Sequence, residues 1–372
     1  MKKIREFVKK EIVFSIALGL TLISMLIVPP NANYVECIDF KVLALLFCLM
    51  AVVEGFKKIG LFEVISYQVL SRTKNSRTIG ILLTMVCFFS AMLVTNDVAL
   101  ITFVPLTFIL LGDNDDEKDV IFIVVMETIG ANLGSMMTPI GNPQNLYLYS
   151  YYDMNIGEFF GIVLPYGILS LILILVVMWM RLKKSQLDIE ISKAGLKSKL
   201  KLTEYVILFV LCLMVVLNKL EYPICFGIIL VMLLITDREI LKKVDYILLL
   251  TFVCFFVFVE NVGSIESVRT FISNMIEGKT ILVGVGLSQV ISNVPAAAML
   301  AGFTQDAKGL ILGVDIGGLG TLVASLASLI SYKFYAQKYP KNIGKYIKTF
   351  TIYNVIFLAI LLSIAQIMLY VI

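Results

Sequence analysis

The sequence predicts an all-α membrane protein: a polytopic helical bundle of two inverted-topology repeats, each holding a re-entrant helical hairpin and a broken transmembrane helix. Three observations predict it. Of 372 residues, 59% are hydrophobic and only 16% are charged, about two-thirds of the charged share of a soluble domain. Apolar runs at 12–28, 166–180 and 354–372 approach or reach the length that crosses a bilayer. Two regions of the chain share polar breaks inside apolar segments. The alternating pattern of a membrane β-barrel is absent.

The elements follow in order. Crossings are expected at 11–30, 41–56, 119–150, 158–181, 203–218, 221–236, 245–262, 307–332 and 345–371. The first run has no small-residue cleavage site after it and reads as a span rather than a signal peptide. Segments 78–111 and 280–304 each carry a polar break near the middle and read as hairpins that enter and leave on one side. With the N-terminus cytoplasmic, this arrangement leaves 26 of the 31 Lys and Arg inside, as orientation by basic loops requires. The C-terminus is then outside. Short amphipathic stretches at 60–70 and 264–276 read as helices lying in the membrane interface.

The sequence also repeats. Residues 49–70 resemble 255–276, aligning Glu54 with Glu260. Residues 89–105 resemble 287–303, aligning Asn96 with Asn293. GANLGSMMTPIGNPQN (130–145) aligns with the region 314–329 at an offset near 183, pairing Asn132 with Asp315, Gly134 with Gly317 and Thr138 with Thr321. The expected organisation is a first repeat at 1–181, a basic cytoplasmic linker at 182–202 and a second repeat at 203–372. Inverted repeats with broken helices build secondary transporters that bind substrate near the midplane.

Irregular backbone cannot face lipid, so these breaks must be enclosed by protein or line a cavity. Pro139 and Pro143 remove N–H donors and Gly141 permits unusual dihedrals, while Asn142 and Asn145 add amides. A helix interrupted there offers a positive half-dipole to an oxyanion and loose carbonyls to Na⁺. At the hairpin tips, Thr95-Asn96-Asp97 and Ser292-Asn293, followed by Pro295, place hydroxyls beside amides. Na⁺ is the possible coupling ion, near Asn96 and Gly141 and near Asn293; no other cofactor is expected. An intramembrane carboxylate is by default a functional hypothesis. Asp97 and Asp315 sit in the polar breaks and could carry a coupling proton; Glu54 and Glu260, near span ends, are further candidates. Glu127 has equal claim to a structural role. No Lys or Arg lies near the middle of any expected span, so a multiply charged anion would meet no fixed cation there.

Other classes are disfavoured. The chain has no His, which removes imidazole relays and Ser-His catalysis. Cys37, Cys48, Cys87, Cys212, Cys225 and Cys254 have no paired spacing and read as small buried hydrophobes. No nucleotide-binding loop is visible, and an enzyme is not expected. An ion channel remains an alternative, because re-entrant loops also build selectivity filters.

The stretches GANLGSMMTPIGNPQN, VTNDVALITFVP and SNVPAAAML resemble the ion transporter superfamily. It includes arsenite/antimonite efflux permeases, citrate and dicarboxylate transporters, and some Na⁺/H⁺ antiporters. The resemblance covers roughly 45–150 and 250–332. In the dicarboxylate branch the tips carry Ser-Asn-Thr; here Asp97 would repel a dicarboxylate. The Asn96-Asp97 pair is similar to the arsenite permease pattern, and Asp315 falls on that family's Asp. That pattern continues with Thr-Pro-Ile-Gly, where this chain reads Thr321-Leu322-Val323-Ala324. The first-half TPIGNP looks closer to the carboxylate and Na⁺/H⁺ branches. The resemblance implies a secondary active transporter of a small anion or oxyacid, of arsenite/antimonite type, coupled to H⁺ or Na⁺ by alternating access. Citrate or dicarboxylate uptake and Na⁺/H⁺ antiport are the alternatives. It also implies a homodimer in a prokaryotic plasma membrane, with the lipid bilayer and a small-molecule or ion substrate as partners and no nucleic acid.

Overall fold

The structure is a computed structural model that describes residues 11–29, 33–71, 73–111, 117–186 and 194–371. The expected cytoplasmic segment 1–10, residues 112–116 of the next short loop and residues 187–193 of the linker lie outside the described residues. Among the described residues the chain is helical, with one isolated bridge pairing Asn75 and Gln186.

Helix α1 (Ile12–Ile27) and the short α2 (Asn33–Glu36) lead into α3 (Phe40–Lys58). Asp39 starts α3 by accepting the Val42 N–H at 2.9 Å, an N-cap bond. Gly60, at φ 81°, turns the chain into α4 (Leu61–Leu70). The first hairpin is α5 (Ser76–Val94) and α6 (Asn96–Leu111), packed side by side about a turn at Thr95. α7 (Glu117–Ser135) ends in an irregular loop before α8 (Pro143–Tyr151), and the long α9 (Ile156–Arg181) closes this half.

After α10 (Lys199–Val216), α11 (Tyr222–Thr236) and α12 (Arg238–Leu241), the same succession recurs. α13 (Tyr246–Gly263) stands for α3, amphipathic α14 (Glu266–Ile276) for α4, and α15 (Thr280–Ile291) with α16 (Asn293–Ala301) for the hairpin. α17 (Ala307–Ile316) and α18 (Leu326–Lys338) flank a second irregular loop, and α19 (Ile343–Val371) closes the half. The outer helices are exchanged: α1 packs along α13, with the Thr21 hydroxyl donating to the Cys254 carbonyl at 2.7 Å, while α11 packs on α3.

Among the described residues, four helical stretches are long and apolar enough to cross a membrane: Ser76–Val94, Ile156–Arg181, Tyr246–Gly263 and Pro340–Met368. The first of these is a hairpin arm. At 19 residues it rises about 28 Å, more than a re-entrant arm needs. The second hairpin has arms of 12 and 9 residues, about 18 and 14 Å, too short to cross alone.

α7 is the centre of the bundle. Every residue from Val120 to Ser135 is buried, which suits a helix enclosed by other helices. Lipid is as apolar as a leucine side chain, so close backbone approach, rather than hydrophobic burial, holds such helices together. Gly130 and Gly134 permit it on α7: a Cβ on Gly134 would stand 2.2 Å from the Phe88 carbonyl oxygen of α5. On the outside, Ile168, Ile172, Trp179 and Met180 of α9 and Ile352 and Ile356 of α19 are exposed, the surface a bilayer covers.

Candidate functional site

Both irregular loops arise where helix-breaking residues meet a capping side chain. In the first half, Asn142 accepts the Asn145 N–H at 2.8 Å and starts α8, with Pro143 in its first turn, where its missing N–H costs nothing. Asn145 Nδ2 donates to the Met136 carbonyl at 3.1 Å and closes the loop. Gly141 is required: a Cβ there would fall 2.1 Å from the Ser135 carbonyl oxygen. The second loop has no proline. Gly317, Gly318 and Gly320 (φ 102°) break the helix, and Ser325 caps α18 by accepting the Ala327 N–H at 3.2 Å.

The loops bond to each other crosswise. Asp315, at the end of α17, accepts from Asn142 Nδ2 at 3.2 Å and from Gln144 Nε2 at 3.3 Å. Asn132, the residue aligned with it, accepts from the Ser325 hydroxyl at 2.9 Å. Each half-helix end therefore receives the cap residue of the other half. Asn96, at the first hairpin tip, donates to Asn132 at 3.0 Å, and Asn132 donates to the Gly318 carbonyl at 3.4 Å. At the second tip, the Asn293 N–H donates to the Ala324 carbonyl at 3.0 Å and the Ser292 hydroxyl reaches the same oxygen at 3.4 Å. All these side chains are buried.

The tips share an uncommon backbone. Thr95 has φ 76° and ψ 151°, and Ser292 has φ 77° and ψ 153°. This region is almost exclusive to glycine and costs about 1–3 kcal/mol per residue. The surrounding bonds hold both residues there.

The two threonines play matching parts at the rim. Thr138 donates to the Met92 carbonyl and Thr321 to the Gln289 carbonyl, at the same stage of each hairpin's first arm. Thr321 is exposed and is not drawn into the buried network. Pro139 lies in the first loop and Pro295 in the first turn of buried α16. A Cβ on Gly317 would meet Ser288 Oγ at 2.8 Å, so Gly317 serves close packing on α15.

Two cavities flank the network. One, of about 260 Å³, is lined by Glu54, Thr95, Asp97, Asn142, Pro143 and Lys243, among others. Asp245 also lines it. The other, of about 480 Å³, is lined by Asp39, Tyr147, Tyr151, Glu260 and Arg269. α8 divides them: Pro143 and Leu146 face the first cavity, Tyr147 and Tyr151 the second. Tyr147 packs at a tilt against Phe252 and Phe256, with centroids 6.0 and 5.6 Å away. The aligned Glu54 and Glu260 thus lie in different cavities, and Glu54 is paired with Lys57 at 3.4 Å. A basic residue does reach the first cavity: Lys243, from the loop after α12 rather than from a span.

Asp97 Oδ1, Asp315 Oδ2 and Asn145 Oδ1 are buried with no hydrogen-bond partner. Among the described residues no cluster of three His, Cys, Asp or Glu could hold a metal ion. Spare carboxylate and amide oxygens nonetheless suit a hard monovalent cation or a proton. The sequence reading does not single out Gln144, Gln289 or Ser325. For Ser325 a signal exists, since the 183-residue offset places it on Asn142.

The citrate transporter family model, CitMHS, matches residues 8–309. The chain is 31% identical to "Uncharacterized transporter MJ0456" of Methanocaldococcus jannaschii, covering 95% of this chain and 96% of that protein. It is 28% identical to "Inner membrane protein YbiR" of Escherichia coli over 81% of each chain. A shorter match, 31% identical over 34% of this chain and 14% of the relative, joins it to "Low-affinity phosphate transporter PHO90" of Saccharomyces cerevisiae. With its broken helices and buried polar crossing, the chain is an integral membrane transporter and belongs to the CitMHS citrate transporter family.

Proposed function

We propose that the chain is a secondary active transporter that carries a small inorganic oxyacid or anion by alternating access, coupled to H⁺ or Na⁺. The observation that carries this reading is the crosswise pairing of Asn142 with Asp315 and of Asn132 with Ser325. Two half-sites from opposite halves close on one point, and a cavity lined by Asn142 and Asp97 reaches it. In this reading the two halves run in inverted sense and the N-terminus is cytoplasmic. The Tyr147–Phe252–Phe256 layer then closes the outer side.

The cavity chemistry favours a neutral oxyacid of the arsenite type over a tricarboxylate. Glu54, Asp97 and Asp245 face one Lys243, so the lining is net acidic and repels a multiply charged anion. Asn96, Asn132 and Asn293 offer neutral amides to hydroxyls. Sodium, where it is the coupling ion, would use Asp315 Oδ2 and Asn145 Oδ1. The same carboxylates favour a second reading, Na⁺/H⁺ antiport.

Proteoliposomes tested with arsenite, phosphate, citrate and succinate, under imposed pH or Na⁺ gradients, separate these. Arsenite movement driven by a pH gradient is expected. Citrate uptake driven by Na⁺ would overturn the neutral-oxyacid assignment, and Na⁺-driven proton flux without any of the four solutes would establish antiport.

A further inference from the structure

Glu127 takes no part in the network above. It lies at the middle of α7 and is 0% exposed. Its Oε1 accepts from the Thr107 hydroxyl of α6 at 2.7 Å, and its Oε2 has no hydrogen-bond partner. No ion pair among the described residues reaches it. An unbalanced carboxylate enclosed this fully is very costly, and one oxygen left bare adds to the cost. The group needs a proton or a cation as a balance.

The surroundings say which. The side chains beside Glu127 are hydroxyls, a thiol and a phenol, groups that pass protons. Thr128 Oγ1 stands 2.8 Å from Ser331 Oγ on α18. The Tyr346 hydroxyl of α19 is buried without a partner and neighbours Thr128, Ser331 and Glu127. Along α18, Ser325, Ser328, Ser331 and Tyr335 fall at spacings of three, three and four residues, one helical face about 15 Å long. The Ser328 hydroxyl is also buried and unpartnered. Tyr335 stacks on Tyr346 at 4.7 Å and donates its hydroxyl to Glu117 at 3.2 Å. Glu117 pairs with the exposed Lys345 at 3.3 Å. A row of hydroxyls thus runs from the Asn132–Ser325 crossing, past Glu127, to a carboxylate at the protein surface. Buried polar groups left bare in such a row are where bridging waters bind.

The other titratable groups around α7 are accounted for. α5 brings the Cys87 thiol, 3.6 Å from the Glu127 carbonyl, and at its start Arg77, which donates to the Leu182 carbonyl. α6 brings only Asp97, ten residues from Thr107. α9 brings Tyr166 beside Gly167, which packs on Met137, with Glu158 and Arg181 at its ends. α17 brings Asp315, bonded to Asn142, and Lys308 in its first turn. From α18 and α19 come Tyr332, Tyr335, Tyr346 and Tyr353, the last packed on Phe122 of α7, and, nearer the surface, Lys333, Lys338, Lys345 and Lys348.

We propose that Glu127 is a second intramembrane proton-binding site, separate from Asp315, and that the α18–α19 hydroxyl row exchanges its proton with Glu117. The proposal rests on the H⁺-coupled reading and names a carrier for it. In one step the Glu127 carboxylate takes a proton from a hydroxyl or water in the row, and that donor is reprotonated from the Glu117 side.

Infrared difference spectra of the full chain in proteoliposomes, titrated with pH, test this without any solute. A protonated-carboxyl band is expected to titrate in the unaltered chain and to vanish in Glu127→Gln. It should persist in Asp315→Asn. Thr107→Val, which removes the bonded hydroxyl at nearly constant volume, should move its midpoint by about half to one pH unit, and this variant decides the matter if Glu127→Gln does not fold. Tyr346→Phe and Ser331→Ala should slow proton flux about tenfold, read by an entrapped pH dye, and leave the band in place. An unchanged band in Glu127→Gln, or an unmoved midpoint in Thr107→Val, overturns the proposal. Failure of the unaltered chain to move arsenite, phosphate, citrate or succinate would count against the transport reading alone, because the band assignment is made without them.

Discussion

The two broken helices do the same thing with different means. The first loop, 136–142, is stiffened by Pro139, held close to Ser135 at Gly141 and enclosed almost completely. The second, Gly317–Ser325, has glycines in place of prolines, and Thr321 and Val323 are exposed. What the second lacks in covalent restraint is supplied by one side chain. Gln289 Nε2 donates to the carbonyls of Gly317 and Leu319 at 2.8 and 3.0 Å, and its Oε1 accepts the Thr321 N–H at 2.9 Å. Position 92, its counterpart in the first hairpin, is Met. A break in a membrane helix needs its freed backbone groups removed or satisfied. Prolines remove a donor; glutamine satisfies donors and acceptors. The second loop thereby keeps a non-covalent hold that can be released.

The largest test of this contrast is the charge. Asp315→Ala removes an acceptor of two amide bonds, each worth about 1.5–3 kcal/mol when one partner is charged. Transport measured in proteoliposomes should fall at least about a hundredfold. Asn132→Ala, with neutral partners, should cost about tenfold. Equal losses would show that the two crossings are equivalent despite the charge. Next comes the means of holding each loop. Gln289→Ala strands three backbone groups and should lower stability by about 2–4 kcal/mol, read as thermal unfolding in detergent. Pro139→Ala should cost no more than about 1 kcal/mol; a larger loss there would reverse the assignment of which loop is fragile. The cap bonds are alike, each worth about 1 kcal/mol, but Asn142→Ala also loses its bond to Asp315 and should lower stability more than Ser325→Ala, whose second partner, Asn132, is neutral. The smallest effect concerns the tips. Thr95→Gly and Ser292→Gly should leave the unfolding midpoint unchanged or raised, because relief of positive φ offsets the usual cost of glycine. A clear drop in either would mean that the hydroxyl, and not the backbone, sets the tip.

Much of this is legible in the amino-acid sequence. Proline, glycine and clustered amides inside an apolar run mark the first break, glycines and Asp315 mark the second, and Asn96 and Asn293 stand out as a pair. The length of α5 is not legible, because a spanning helix and a hairpin arm have the same composition. Gln289 is invisible for a different reason: an amide in a helix announces nothing about which carbonyls it will meet. Ser325 can be read from its alignment with Asn142, yet a serine at a helix start has an ordinary capping explanation.

The sequence by itself determined the solvent and the local breaks. Its apolar runs require a bilayer, and its prolines and glycines forbid continuous helix at 139–143 and 317–320. Only the tertiary structure decided which residues meet. Asn142 and Asp315 stand 173 positions apart in the chain, and Asn132 and Ser325 stand 193 apart. No local propensity reaches that far. Such bonds form because α7 packs on α5 and α17 packs on α15 through their glycines, and the two packed pairs bring both helix ends to one buried point.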